Sequence, residues 1–247
     1  MTLAKKNIVF YIALSFFAFT SCNQKEKKNT LFISLPSSTT HVDFENKPEE
    51  HELFNILYYL YYYNGGGVAT GDINNDGLPD IYFTANKKAG NKLYLNKGNF
   101  QFEDITEKAG VAGRTEGWKT GVTLADVNAD GWLDIYVCYS GNFPAEKRKN
   151  QLFINNGSLS EKAGTEVGFT EQAEAYGIAD AGYSTQGLFF DYDTDGDLDL
   201  FVLNHNLRGY QRKEAAYLKK EFDPNAGDRL YRNDNRHFTD VTREAGI

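Results

Sequence analysis

A nine-residue acidic segment occurs three times in this chain, and it restricts the possible folds more than any other feature. It reads DINNDGLPD at residues 72–80, DVNADGWLD at 126–134 and DYDTDGDLD at 191–199. Each copy places oxygen-bearing side chains at loop positions 1, 3, 5 and 9 and a glycine at position 6, with apolar residues on either side. Clustered oxygens of this kind suit a hard cation that takes six to eight oxygen ligands, which is calcium. The glycine gives the backbone the freedom to turn sharply and bring both arms around one ion. The candidate ligands are Asp72, Asn74, Asp76 and Asp80 with the Leu78 carbonyl; Asp126, Asn128, Asp130 and Asp134 with the Trp132 carbonyl; and Asp191, Asp193, Asp195 and Asp199 with the Asp197 carbonyl. The third set has one more carboxylate among its side-chain ligands and is expected to bind most tightly, because ligand charge helps set affinity.

An EF-hand needs a bidentate glutamate at position 12 and a helix on each side. Position 12 here is Phe83, Val137 or Val202, and the residues after the loops read IYFT, IYVC and LFVL. These β-branched and aromatic runs are strands, so the loop joins two strands. Asp, Asn and Gly also dominate ordinary turns. Three copies in one context favour the metal reading.

The strand–loop–strand unit lies inside a longer repeat. A first strand (GVATG, GVTLA, GLFF) leads into each acidic loop, and a third strand follows a variable connection: NKLYLNKG, NQLFINNG, DRLYRNDN. Each unit closes with FEDITEKAGV, FTEQAEAYGI or FTDVTREAGI. Insertions confined to loops of a fixed unit mark a repeat architecture, and three to four strands per unit point to propeller blades. The expected blades span residues 65–111, 118–178 and 184–247, with a short helix over residues 214–220 in the third. Ahead of them, residues 53–64 (LFNILYYLYYYN) read as an aromatic strand, buried between sheets or offering tyrosines to a sugar ring.

The N-terminus reads as an export signal over residues 1–21. Lys5 and Lys6 precede an apolar run over residues 8–19 that is shorter than the about 20 residues of a membrane span. Small residues then lead into Cys22, a pattern that resembles the lipobox of bacterial lipoproteins and marks Cys22 for lipidation. Residues 22–52 read as a flexible, polar tether. The expected location is the bacterial cell envelope, lipid-anchored and extracytoplasmic.

The paired strands around D-x-[DN]-x-D-G-x-x-D, the following L-[YF]-x-N and the closing motif together resemble the FG-GAP/VCBS repeat family. More narrowly, they are similar to the exported propeller lipoproteins related to cartilage acidic protein, which often carry an ASPIC/UnbV-type module. The resemblance covers residues 53–247. It implies an all-β, calcium-binding β-propeller of the integrin-α type with about three ions, and it carries no catalytic residues with it. Such propellers have about seven blades and this sequence has three acidic loops, so it is expected to be a fragment with three blades of a larger propeller.

The net charge of −8 fits metal sites and argues against a nucleic-acid partner, which wants a basic face. Cys138 is expected to be a buried small hydrophobe. Of the four histidines, His205 alone is placed like a site residue, although a surface loop position is the simpler expectation. No nucleophile elbow, P-loop or HExxH pattern occurs. Two functional classes remain open. One is a non-enzymatic, membrane-anchored binding or adhesion module that takes a protein or glycan through loops 87–91, 141–149 and 208–227. The other is an accessory or enzymatic subunit in polysaccharide processing, with catalytic residues outside this chain.

Overall fold

Each repeat forms one four-stranded antiparallel sheet. The computed structural model describes residues 30–52, 54–86, 90–158, 167–207 and 223–247. The first sheet comprises β1 (Val68–Gly71), β2 (Asp80–Phe83), β3 (Lys92–Asn96) and β4 (Phe102–Asp104). The second comprises β5 (Trp118–Ala125), β6 (Asp134–Ser140), β7 (Gln151–Ser158) and β8 (Val167–Glu171). The third comprises β9 (Ser184–Phe190), β10 (Asp199–Asn204), β11 (Arg229–Asn233) and β12 (Phe238–Asp240). Strands neighbour one another in chain order within every sheet. The registers are equivalent, pairing Ile81 with Tyr94, Ile135 with Phe153 and Leu200 with Tyr231. The fold is all-β and propeller-like.

The second strand of the middle sheet is apolar on both sides because a neighbouring sheet covers each of its faces, whereas Leu188 and Leu203 on the far face of the third sheet stay exposed. Successive side chains of a strand point to opposite faces. Ile135, Val137 and Tyr139 therefore join Tyr82, Leu93 and Leu95 in a core between the first and second sheets. Tyr136 and Cys138 turn the other way and pack with Leu200, Val202 and Phe189 between the second and third. All seven residues of β6 are buried. Cys138 is a free, fully buried thiol whose burial pushes its pKa up, so it packs as a small apolar side chain.

The glycine that opens each first strand has a packing reason. A Cβ on Gly121 would come within 2.3 Å of the Thr185 carbonyl oxygen, one on Gly67 within 2.9 Å of that of Thr120, and one on Gly187 within 2.8 Å of the Tyr136 ring. Only glycine lets the first strands of adjacent sheets approach this closely. At the other end of the repeat, one-turn helices (Thr106–Ala109, Ala173–Tyr176, Thr242–Ala245) fold back on their sheets. Thr106 and Thr242 each accept a hydrogen bond from the third strand, from the Leu93 and Leu230 N–H groups.

Two expectations are corrected. Residues 54–64 are a series of turns rather than a strand, with hydrogen bonds such as Tyr59 N–H to the Asn55 carbonyl and Tyr62 N–H to that of Tyr59. The turn spacing buries Tyr59 and Tyr62 together and leaves Tyr58 and Tyr63 exposed. The buried pair packs on Trp118 and Phe54, which a period-two strand could not arrange. The packed unit also starts at Pro36, inside the stretch read as tether. Phe44 stacks on Phe83 with ring centres 4.7 Å apart, and the Tyr94 hydroxyl donates to Asp43 at 2.8 Å. Asn46 and Asn86 exchange hydrogen bonds. These contacts cover the face of β2 that, in the other two sheets, is covered by the preceding sheet. The export signal, Cys22 and the helix expected over residues 214–220 lie outside the described residues, as do parts of loops 87–91 and 208–227.

The apolar packing gives a direct test. Leu152→Ala empties a fully buried position between the second and third sheets and is expected to cost about 2–5 kcal/mol in urea denaturation. Leu57→Ala, at a position 90% exposed, is expected to stay within about 0.5 kcal/mol. Equal costs would contradict the assignment of these two side chains.

Candidate metal centres

The three acidic loops connect the first and second strands of their sheets and share one backbone course. Position 6 has a positive φ in each, +85° at Gly77, +88° at Gly131 and +98° at Gly196. Position 4 is left-handed as well, at Asn75, Ala129 and Thr194 with φ of 56°, 56° and 65°. Asparagine tolerates this region, whereas a β-branched threonine rarely adopts it, so the third loop holds the most strained backbone.

Inside the first loop, the Asp72 carboxylate accepts the N–H groups of Asp76 (3.1 Å) and Gly77 (2.7 Å). The Asn74 amide donates to Asp76 at 2.9 Å, and the Leu78 N–H also points to Asp76, at 2.9 Å. The second loop repeats these bonds: Asp130 and Gly131 N–H to Asp126, the Asn128 amide to Asp130, and Trp132 N–H to Asp130. The third loop keeps two of them, Gly196 N–H to Asp191 at 3.3 Å and Asp197 N–H to Asp195 at 3.1 Å. Aspartate at position 3 has no amide to offer its neighbour. Asp191, Asp193 and Asp195 instead turn carboxylate oxygens toward one another, all within 4.8 Å. Burial, and then the charges of Asp195 and Asp199, push the Asp193 carboxyl above its ordinary range.

Position 9 is placed differently from positions 1, 3 and 5. Asp80, Asp134 and Asp199 are fully buried, and each uses its two oxygens to hold two backbone N–H groups. One belongs to loop position 2 (Ile73, Val127 or Tyr192) and the other to the end of the third strand (Asn96, Asn155 or Asn233). The same asparagines return a side-chain hydrogen bond to the carbonyl at position 8, on Pro79, Leu133 and Leu198. Asp and Asn thus form a reciprocal clamp between the acidic loop and the third strand. The asparagine of L-[YF]-x-N was visible as a repeated residue, but only the register of β2 on β3 shows what it holds. Burial pushes the Asp80 carboxyl up to about 6 and that of Asp134 up to about 7, against the opposing pull of the backbone N–H donors. Each carboxylate oxygen has a second lone pair, so a clamp residue can still reach an ion.

Donors of this type fit a hard cation. The side chains at positions 1, 3 and 5 are all oxygen-bearing, and the third loop converges three carboxylates that lack a mutual donor. Neighbouring loops also touch, with the Asn75 amide donating to the Gly131 carbonyl at 3.0 Å and the Arg236 guanidinium donating to the Asn128 carbonyl at 2.9 Å.

His205 departs from the expected surface position. It is half-buried, its ring lies 4.1 Å from that of Tyr61, and neither ring nitrogen has a hydrogen-bond partner among the described residues. Burial pushes its pKa down to about 4, so the imidazole is neutral at pH 7.

Sheets stacked in chain order with an acidic loop on every first hairpin define a propeller-type repeat protein. Residues 72–137 match the family described as FG-GAP-like repeat. Over 148 residues the chain is 31% identical to cartilage acidic protein 1 of Xenopus tropicalis, covering 60% of this chain and 21% of that protein. It is 29% identical over 178 residues to cartilage acidic protein 1 of Homo sapiens, covering 68% of this chain and 24% of that protein. It is 36% identical over 110 residues to integrin alpha-8 of Gallus gallus, covering 38% of this chain and 10% of that protein. Residues 72–137 thus resemble an FG-GAP-like repeat and the chain resembles part of the cartilage acidic proteins, spanning less than a quarter of these relatives' lengths.

Clamp and ligand are separable by mutation. Asp134→Ala orphans two buried N–H groups and is expected to cost about 2–6 kcal/mol in calorimetric melting even with chelator present. Asp126→Ala, which faces solvent, is expected to cost under about 1 kcal/mol in chelator and to remove only stabilisation that depends on calcium. Equal losses in chelator would contradict the division of roles.

Proposed function

We propose that the protein is a membrane-anchored, extracytoplasmic calcium-binding propeller that acts as a non-enzymatic binding or adhesion module for a protein or glycan. The observation that carries this reading is the convergence of the Asp191, Asp193 and Asp195 oxygens. Three carboxylates this close repel one another, and a divalent cation that gathers them fixes the hairpin between β9 and β10. Asp72, Asn74, Asp76 and Asp80, and Asp126, Asn128, Asp130 and Asp134, supply two further sites, and the carbonyls of Leu78, Trp132 and Asp197 complete the three ligand sets. An ion that binds only the folded state stabilises it by about 2.7 kcal/mol at a hundredfold excess over its Kd.

The ions and the ligand-binding loops are at opposite ends of the sheets. Acidic loops follow the first strands, whereas the connections between second and third strands, such as residues 141–149, emerge at the far end. The ions stiffen one end of a scaffold that presents its variable loops at the other. Lipidation at Cys22 would hold that scaffold on the bacterial cell envelope, where calcium is abundant enough to fill weak sites. The similarity to an integrin alpha chain and to cartilage acidic proteins supports a binding role.

Calcium titration calorimetry of the wild type, Asp76→Asn, Asp130→Asn and Asp193→Asn tests the reading. The expected result is removal of the tightest binding phase by Asp193→Asn and of weaker phases by the other two. A third loop that proves weakest, or a titration without heat, would overturn it. Labelled palmitate is expected to enter the wild type and not Cys22→Ser; label in both would remove the anchor.

A further inference from the structure

The end of the sheets opposite the acidic loops carries a recess of a different chemistry. Strand β5 starts there at Trp118 and reaches its acidic loop eight residues later, about 26 Å away at roughly 3.3 Å per residue. The recess is a cleft of about 270 Å³ whose walls include Tyr59, Tyr61, Trp118, Thr120, Gln186 and His205. It is built from β5, β9, the residue after β10 and the turns that precede the first sheet. Tyr59 meets the buried Trp118 edge-on at 5.6 Å, and Tyr61 packs over the imidazole.

Two properties of this cleft select a ligand class. Among the described residues no formally charged group lines it: the walls are aromatic, hydroxyl, amide, glycine and a neutral imidazole. An ion entering it would lose water without gaining a counter-charge, which is costly. These walls suit an uncharged ligand. The second property is the imidazole, unpartnered among the described residues. Buried hydrogen-bonding groups left unmade are costly, and His205 has two on one ring. Tyr61 packs against this ring at 4.1 Å, its hydroxyl donates to the Asn206 carbonyl at 3.3 Å, and both side chains line the cleft. Neutral imidazole offers one donor and one acceptor, and a ligand with several hydroxyls meets either tautomer because each hydroxyl both donates and accepts. Aromatic walls suit the apolar face of such a ring. The volume falls just under the lower end of ordinary ligand pockets, about 300 Å³, which limits the occupant to one ring.

We propose that this cleft binds a single uncharged sugar residue, with the sugar packed against Tyr61 and its hydroxyls on His205. The inference rests on the reading of the protein as a binding module and gives that module one ligand class and one site. Tyr61 and His205 are its specificity residues, and the metal loops play no direct part in the contact.

Saturation-transfer NMR on the calcium-loaded full chain, with methyl glycosides of glucose, galactose, mannose and N-acetylglucosamine and with glucuronate as charged control, tests the proposal. Saturation transfer to at least one neutral glycoside and none to glucuronate is expected. His205→Phe keeps the ring volume and removes both nitrogens; it is expected to weaken binding at least tenfold while melting no lower than wild type. Tyr61→Ala is expected to weaken it similarly. Silence with every neutral glycoside, equal transfer to glucuronate, or undiminished binding by His205→Phe would overturn the site; the first two outcomes need no variant to fold. A chain stabilised by calcium yet silent to all sugars would fail this proposal alone. A chain that binds sugar and ignores calcium would fail the metal reading alone.

Discussion

The structure depends on how each first hairpin manages crowded negative charge. Every acidic loop brings carboxylates together at a reversal of the chain, where they repel one another. Backbone N–H groups absorb part of that charge: position 1 takes two from the loop in the first and second repeats and one in the third, and position 9 takes one from the loop and one from the third strand. In the first and second loops an asparagine amide absorbs some more. The third loop has replaced that amide with a carboxylate, and there the oxygens converge with no side-chain donor among the three. On the proposed reading a cation is the partner of this cluster, and the charge count that crowds the loop would also raise its affinity.

The position-9 clamp transmits the loop's shape to the sheet. Asp134 ties Val127 to Asn155, and Asn155 in turn holds the carbonyls of Leu133 and Ile73, the latter in the first acidic loop. Loop, second strand, third strand and neighbouring repeat thus share one hydrogen-bond network. Stacking does the rest, because a four-stranded sheet with two apolar faces is stable only when both are covered. In the first sheet, Phe44 and the contacts of Asp43 and Asn46 provide part of that cover.

Much of this was legible in the sequence because the repeat shows every signal three times. Three to four strands per unit, the loop between the first two and the sharp turn at position 6 follow from the repeated residue pattern; the structure fixes the number at four. The cleft was not legible, since Tyr61, Trp118 and His205 are far apart in the chain and meet only once the sheets stack. The tyrosine-rich stretch misled for a related reason: its composition favours strands, but no sheet edge is paired with it, and turns bury Tyr59 and Tyr62 on Trp118 instead. The role of the asparagine ending each third strand needed the register of two strands, which composition does not encode. The N-terminal cover was hidden because Phe44 stands alone among polar residues.

The central claim is that divalent ions gather the oxygens of these loops. Diffraction from crystals of the full chain grown in calcium, with anomalous scattering to identify the ion, measures it directly. The account predicts a peak in each of the three loops, with six to eight oxygens at about 2.3–2.6 Å. Loops that keep this shape with no ion among Asp191, Asp193 and Asp195 would contradict it.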